Sequence, residues 1–173
     1  MSETTVTRRD GVGMITLRAD LGADAVVGAV ADLTGTGVPG QREIVTKDDM
    51  SVAWMSPDEV LILLPAGQAE AAVQALSAAL KDTHHLAVNV SDARAILRIA
   101  GQGAREVIAK GAPVDMEVFA PGEIRRTRLG QVACAFWISG DAQVDLVCFR
   151  SVGQFVEDWL THAARPGAEV GYL

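Results

Sequence analysis

The chain has little positive charge, few aromatic residues and only two cysteines. Its 15 lysines and arginines are outnumbered by 22 acidic residues, which leaves a formal net charge of −7. Nucleic acids and anionic membranes attract positively charged proteins, so this balance argues against both as partners. Aromatic residues make up 5% of the chain and apolar residues 49%, so alanine, valine and leucine must fill most of the core.

Long apolar runs are also lacking. The run at residues 60–64 has only the length of a strand. A membrane-spanning helix needs about 20 apolar residues. Residues 1–10 are polar and charged, without the apolar core of a secretion signal. We therefore expect a soluble cytoplasmic protein that makes no membrane contact.

The two cysteines, Cys134 and Cys148, both lie in apolar, strand-like runs. Disulfides are rare in the cytoplasm, and two thiols without further ligands do not make a metal site. We interpret both as small buried hydrophobic side chains.

Hydrophobic periodicity predicts alternating strands and helices along the chain. Strands are predicted at residues 12–18, 52–55, 60–64, 86–90, 95–100, 124–129, 131–138 and 144–149. Helices are predicted at residues 24–33 and 67–80, from Ala104 to a stop at Gly111, and after Ser151. The first helix should bury Val26, Val27, Val30 and Leu33, and Ser151 with Gln154 should form a capping box at the last.

The order strand, helix, hairpin, helix occurs twice. It covers residues 12–82 and then, with extra strands, residues 86–164. The halves are faintly similar, since V-A-W-M-S-P from Val52 aligns with V-A-C-A-F-W from Val132. We predict a single α+β domain over residues 1–173, built from two pseudo-repeated halves whose mainly antiparallel sheet carries packed helices.

A glycine-rich turn at Gly101-Gln102-Gly103 resembles the start of the dinucleotide-binding motif G-x-G-x-x-G. The third glycine is replaced by Glu106, whose carboxylate would repel a pyrophosphate. About 20 residues further on, an acidic residue should end a second strand, but Pro121-Gly122 indicates a loop. We interpret the turn as a structural corner and expect no nucleotide there.

Other chemical motifs are weak. His84 and His85 are adjacent, so their side chains diverge and do not chelate one metal together. No G-x-S-x-G motif is present, and the acidic pairs at residues 48–49 and 58–59 are interpreted as solvated turn charges. The residues alone therefore predict no catalytic, cofactor or metal site in this chain.

Five arginines are candidates for contact with a partner. Arg125, Arg126 and Arg128 form a basic strand in an acidic protein. They could bind an anion or an acidic partner, or they could protect an edge strand from aggregation. Arg94 and Arg98 share one face of an earlier strand, a face that is either solvated or partnered. Changing these arginines to glutamate is predicted to weaken assembly without unfolding the chain.

Segments spread between residues 52 and 164 resemble the gamma subunit of heterotetrameric sarcosine oxidase. They are residues 52–64, 88–94, 101–115, 119–129 and 150–164, in the family's order. For example, A-R-E-V-I-A-K-G from Ala104 is similar to the family pattern A-R-x-V-L-A-K-G. The chain departs from the family at Val60, where tryptophan is usual, and at residues 116–118, which replace a D-L-H-P-like run.

The resemblance implies a reduced version of the folate-binding aminomethyltransferase domain of the glycine-cleavage system. It also implies a noncatalytic accessory subunit with alpha, beta and delta subunits as partners. Such a complex oxidises sarcosine to glycine, passes the one-carbon unit to tetrahydrofolate or releases formaldehyde, and reduces oxygen to hydrogen peroxide. FAD, FMN, NAD, zinc and tetrahydrofolate would belong to the partner subunits.

An alternative is a stand-alone folate-binding protein of the aminomethyltransferase type. In that case Arg125, Arg126 or Arg128 would hold the glutamate tail of the folate. Under either hypothesis the isolated chain could self-associate to cover an unused apolar interface.

Overall fold

The computed structural model describes residues 4–171, and within them the chain forms ten strands and four α-helices. The strands are β1 (Thr5–Arg8), β2 (Val12–Ala19), β3 (Ile44–Lys47), β4 (Met50–Ser56), β5 (Glu59–Pro65), β6 (His85–Asn89), β7 (Arg94–Ala100), β8 (Ile124–Leu129), β9 (Val132–Gly140) and β10 (Gln143–Phe149). The helices are α1 (Asp24–Thr34), α2 (Ala69–Ala79), α3 (Ala104–Ala109) and α4 (Gly153–Ala163). Short 3-10 turns at Ala66–Gln68 and Arg150–Val152 lead into α2 and α4.

The elements fall into two compact units. The first unit is Gly11–Asp92, and the second joins residues 4–10 with residues 93–171. Each unit contains one five-stranded antiparallel sheet. The strand order is β3-β4-β5-β2-β6 in the first unit and β1-β7-β10-β9-β8 in the second.

The core of the first unit lies between one face of its sheet and helices α1 and α2. Strand β5 is central, and Val60 to Leu64 are all buried, as expected for a strand that is apolar on both faces. From α1, Val26 and Val30 are fully buried. The prediction for this helix was wrong at Val27, which is 39% exposed, because the buried face of the helix is formed by Val26, Ala29, Val30 and Thr34.

The core of the second unit is formed by alternate residues of its strands and by α3 and α4. Leu97, Ile99, Phe136 and Leu146 are fully buried. The rings of Phe119 and Phe136 meet edge to face, with centroids 5.5 Å apart. Helices α3 and α4 contribute Val107, Ile108, Val156 and Leu160 to the same cluster. The last helix therefore packs through the apolar residues Val152, Val156, Trp159, Leu160 and Ala163. Phe155, which the periodicity of the sequence places on the same apolar face, is instead 60% exposed.

The predicted internal repeat is confirmed. In both units an interior strand, β2 or β7, is followed by a helix, three antiparallel strands, a 3-10 turn and a second helix. The hairpin β4–β5 corresponds to β9–β10, which are the segments that the faint sequence similarity aligns. Mixed α+β architecture with two antiparallel sheets is thus the fold class, as predicted.

The boundary between the halves differs from the prediction. Strand β6 pairs with β2, so residues 86–90 belong to the first unit and not to the second. The second sheet is completed by β1, which pairs with β7 at the position that β6 holds beside β2. Strand β1 was missed because its four residues, T-V-T-R, are too short for periodicity to indicate.

Two local predictions also need correction. Helix α4 begins at Gly153 without a side-chain cap, because the 3-10 turn of residues 150–152 contains Ser151 and precedes the helix. The side chain of Gln154 instead donates to Asp158 at 2.9 Å. Glu59 is not a solvated turn charge: it is 4% exposed and accepts a hydrogen bond from Arg18 at 2.8 Å.

Candidate interaction surface

The basic strand is β8, the last strand in the order of its sheet. Among the described strands it pairs only with β9, so its other edge is open. We call the arginines Arg125, Arg126 and Arg128 on this strand the basic edge. Arg126 and Arg128 are exposed, and both lie opposite alanines of β9 on one face. Such an edge suits both open hypotheses, because charge on an edge strand prevents aggregation and can also receive a partner.

Arg125 lies on the other face of β8 and is partly buried. Its guanidinium is 5.3 Å from the centre of the Phe119 ring, and Nη1 donates to the carbonyl of Ile124 at 3.3 Å. This side chain therefore supports the packing of the second unit as well as presenting charge.

Arg98 is held in an ion pair with a fully buried carboxylate. Its Nε and Nη2 donate to the two oxygens of Asp145 at 2.8 and 2.9 Å. Arg9 donates to the same carboxylate at 2.8 Å. Asp145 is 0% exposed, and two guanidinium groups neutralise its charge. Removing Arg98 would leave part of that buried charge unpaired, which is costly.

The hydrogen bond with Asp145 also raises the pKa of Arg98 above its ordinary value. A raised pKa for a basic group means that its stabilising contribution is complete below the unfolded pKa. That contribution is lost only as the pH rises through the pKa that Arg98 has in the folded chain. Since arginine titrates far above neutral pH, Arg98 stays charged throughout the neutral range.

Arg94 stacks on an aromatic ring of the neighbouring strand. Its guanidinium carbon lies 4.2 Å from the centre of the Phe149 ring, its partner in the register of β7 and β10. Phe149 is 48% exposed, so this pair lies at the surface.

The two groups of candidate arginines are not brought together. Strands β10 and β9 separate β7 from β8, which places the strands about 14 Å apart at the usual spacing. One partner surface could reach both groups only by spanning much of the sheet. The basic edge, with Arg126 and Arg128 exposed, is the better candidate for a contact.

The glycine turn forms the structural corner that its sequence predicts. Gly101 has a backbone φ of +124°, which residues other than glycine rarely adopt. Its N–H donates a hydrogen bond to the carbonyl of Ala142 at 2.9 Å. Ala104, the first residue of α3, donates back to the carbonyl of Gly101 at 3.0 Å. The turn thus reverses the chain between β7 and α3.

Two charged residues of the α3 segment hold the C-terminal residues 165–171, which we call the C-terminal segment. The carboxylate of Glu106 accepts hydrogen bonds from the N–H groups of Val170 and Gly171. Lys110 donates to the carbonyls of Ala163 and Ala168 at 2.8 and 2.7 Å. Glu106, which stands where a nucleotide motif needs glycine, is therefore an anchor for the chain's own backbone.

The hydrogen bond from Val170 is the main reason why the pKa of Glu106 is lowered. A lowered carboxyl pKa contributes stability above the unfolded value of about 4.3, and that contribution disappears as the pH falls through the folded pKa. We expect the amides of Val170 and Gly171 to exchange faster with solvent once the pH falls through the lowered pKa of Glu106. Amide hydrogen exchange over a pH series, corrected for intrinsic rates, measures this release.

The variant Glu106→Ala should show fast exchange at these two amides at every pH. Glu117→Ala removes an exposed carboxylate elsewhere in the second unit and is the control. If Glu106→Ala leaves the exchange of both amides unchanged, the carboxylate does not anchor the segment.

The cysteines are buried, as interpreted from the sequence. Cys134 and Cys148 face each other across β9 and β10, and both thiols are free. Burial raises the pKa of Cys134 to about 12 and also raises the pKa of Cys148. Both thiols are therefore protonated and unreactive at neutral pH.

No group of three or more potential metal ligands occurs in residues 4–171. Of the adjacent pair of histidines, His84 is exposed, and the ring of His85 lies 2.8 Å from the carbonyl of Thr83. In the same part of the chain, no helix combines the length and apolar character that crossing a membrane requires.

The fold places the chain in a class of α+β proteins that includes an aminomethyltransferase. Aminomethyltransferase T of the glycine cleavage system from Bartonella henselae superposes with a TM-score of 0.66 at 11% identity, over 92% of this chain and 45% of that one. A chain of the heterotetrameric sarcosine oxidase from Corynebacterium sp. U-96 superposes with a TM-score of 0.86 at 23% identity, over 98% of this chain and 88% of that one.

Sequence comparison defines the family within this class. The model of the sarcosine oxidase gamma subunit family matches residues 18–166. Sarcosine oxidase subunit gamma of Corynebacterium sp. (strain P-1) is 30% identical over 158 residues, which cover 86% of this chain and 77% of that protein. The chain belongs to the sarcosine oxidase gamma subunit family, and the resemblance drawn from its motifs is confirmed.

Proposed function

We propose that this chain is a cytoplasmic, noncatalytic accessory subunit of a heterotetrameric sarcosine oxidase. Its partners are the alpha, beta and delta subunits of that complex. These partners oxidise sarcosine to glycine and hold the FAD, FMN, NAD, zinc and tetrahydrofolate. The observation that carries the proposal is the family match over residues 18–166.

The polar groups of the chain support a scaffolding role. Asp145 is neutralised by Arg9 and Arg98, and Glu106 and Lys110 hold the C-terminal segment. These charged residues stabilise the fold of the second unit. The contribution of the chain to a complex would then come from its surfaces.

The basic edge is the surface that we assign to an acidic region of a partner subunit. An exposed arginine pair on an open strand edge presents guanidinium groups that can bind carboxylates in bidentate geometry. The chain as a whole is acidic, with a formal net charge of −7, so this local positive charge would orient the approaching partner.

The double variant Arg126→Glu/Arg128→Glu is expected to bind the other three subunits about tenfold more weakly, which corresponds to ~1.4 kcal/mol. Both side chains are exposed, so the unfolding midpoint should stay close to that of the unmodified chain. Binding is measured with purified partner subunits at two salt concentrations, since screening should reduce the difference.

The double variant Arg42→Glu/Lys81→Glu is the matched control. It makes the same change in net charge at exposed residues of the first unit. Equal binding by both double variants would remove the basic edge from the interface. In that case Arg126→Thr/Arg128→Thr tests the other hypothesis, because an edge that needs charge against aggregation should then aggregate in light scattering.

A further inference from the structure

Within residues 4–171, the outer strands of the two sheets are β1, β3, β6 and β8, and β6 differs from the other three. Arg8 lies on β1, Lys47 on β3 and the basic edge on β8. Residues 83–90, which contain β6, include no aspartate, glutamate, lysine or arginine. Charge on an edge strand prevents unwanted pairing, so β6 lacks the protection that the other three edges have.

Strand β6 also exposes apolar side chains. Leu86 is 52% exposed and Val88 is 39% exposed, and they point to the same side of the sheet because they are two residues apart. Ala87, between them, points to the other side and packs against the core of the first unit. The two exposed side chains thus form an apolar pair beside an open edge.

The repeat offers an internal comparison. Strand β1 holds in the second sheet the position that β6 holds in the first, and its residues Thr5 and Thr7 point away from the core of the second unit. The outward-facing positions are therefore threonine on β1 of the second unit, and leucine and valine on β6 of the first unit. Since threonine serves this position in β1, the fold does not need apolar side chains here.

The hydrogen-bond register shows which backbone groups of β6 are open. Val90 donates to the carbonyl of Met14 at 2.8 Å, and the register pairs Val88 with Thr16 and Leu86 with Arg18. Bonded and non-bonded pairs alternate in an antiparallel ladder. Residues 86 and 88 therefore bond to β2, while His85, Ala87 and Asn89 direct their N–H and C=O groups outward.

We propose that β6 is a docking edge for a strand of another subunit, which extends the first sheet and covers Leu86 and Val88. The partner segment is extended and uncharged, with apolar side chains at alternate positions. The outward backbone groups require a strand, and the absence of charge on residues 83–90 excludes a partner selected by salt bridges. This inference rests on the proposed function, since it names one contact within that assembly.

The size of the edge favours a subunit of the complex over a second copy of this chain. Five residues of strand are about 17 Å long. A stable interface between two proteins buries roughly 1,200–2,000 Å². Pairing two such short strands would bury only part of that area, so the partner must contact the chain elsewhere as well. A larger subunit meets this requirement.

The experiment combines the full chain with the purified assembly of the other three sarcosine oxidase subunits. In the free chain the amide of Ala87 should exchange fast, while those of Leu86 and Val88 exchange slowly. In the complex the amide of Ala87 should slow by about tenfold or more. A partner that covered Leu86 and Val88 without pairing as a strand would not hydrogen-bond the outward amide of Ala87, so it would not slow the exchange of that amide selectively.

Two variants test the same contact. Ala87→Pro removes an outward N–H without breaking the ladder to β2, and proline is tolerated on such an edge. Leu86→Thr/Val88→Thr copies the residue type of β1 and keeps strand propensity. Each should weaken binding about tenfold at an unchanged unfolding midpoint. The double variant Val118→Thr/Val170→Thr changes exposed valines elsewhere and should bind normally.

The outcomes separate the two proposals. If the unmodified chain does not bind the other subunits, the proposed function fails and the docking edge fails with it. If the chain binds, but both β6 variants bind equally well and Ala87 exchange does not change, only the docking edge is overturned. If the chain alone forms a dimer that Ala87→Pro dissociates, the occupant is a second copy and the assignment to another subunit is wrong.

Discussion

Replacing Arg98 with glutamate is expected to destabilise the chain by about 3 kcal/mol, which is a large share of the stability of a typical domain. The new carboxylate would face Asp145, which is 0% exposed and now accepts two hydrogen bonds from Arg98. Arg9 remains 2.8 Å from the same carboxylate, so we place the effect at the lower end of the range for broken buried pairs. Urea denaturation of the purified chain measures it.

A series of substitutions at Arg98 separates the effect of its charge on stability from the effect of its packing. Arg98→Met keeps the apolar stem and removes the hydrogen bonds, and it should cost about 1–2 kcal/mol because Arg9 stays in place. Arg128→Glu makes the same charge change on the exposed edge and should stay within about 0.5 kcal/mol of the unmodified chain. Equal destabilisation by Arg98→Glu and Arg128→Glu would show that Asp145 does not depend on Arg98.

This result would change how the sequence-based prediction for the five arginines is tested. Glutamate at each of them was predicted to weaken assembly without unfolding the chain. At Arg98 a loss of binding would follow from a loss of folding, because the side chain is part of the second unit's own ion pair. Arg126 and Arg128 are exposed, and substitutions at exposed residues usually cost little stability, so they are the better probes of a partner contact.

The repeat and most strands could be predicted because they depend on local patterns. The β4–β5 hairpin combines alternating or continuous apolar residues with Pro57 in the turn, and the Gly101 corner combines a strand, two glycines and a helix. Each of these signals lies within about a dozen residues. The family motifs then indicated how the elements combine.

The ion pair and the anchor of the C-terminal segment could not be predicted, because their partners are distant in sequence. Arg9 and Asp145 are 136 residues apart, and Glu106 and Val170 are 64 apart. One signal was present: Asp145 is a lone carboxylate inside the apolar strand V-D-L-V-C, and such a residue needs a cationic partner. The sequence does not indicate which arginine supplies it.

Gly111 should tolerate no larger residue, because the space for a side chain is already filled. A Cβ built at this position would lie 2.5 Å from Cη2 of Trp159 and 2.8 Å from Cδ1 of Leu129. The φ angle of Gly111 is not positive, so crowding is the reason and not backbone strain. We expect Gly111→Ala to destabilise the chain by about 1–3 kcal/mol in urea denaturation.

Alanine at Gly28 should have the opposite effect and stabilise the chain. Gly28 lies within α1, and a Cβ there would meet no atom within 4 Å. Alanine is the better helix former, so Gly28→Ala should stabilise the chain by about 0.5–1 kcal/mol. A combined Gly111→Ala/Trp159→Phe variant tests the cause, since phenylalanine lacks the two ring atoms that crowd the new methyl group. If the two changes are strictly additive, Trp159 is not the group that excludes a side chain at Gly111.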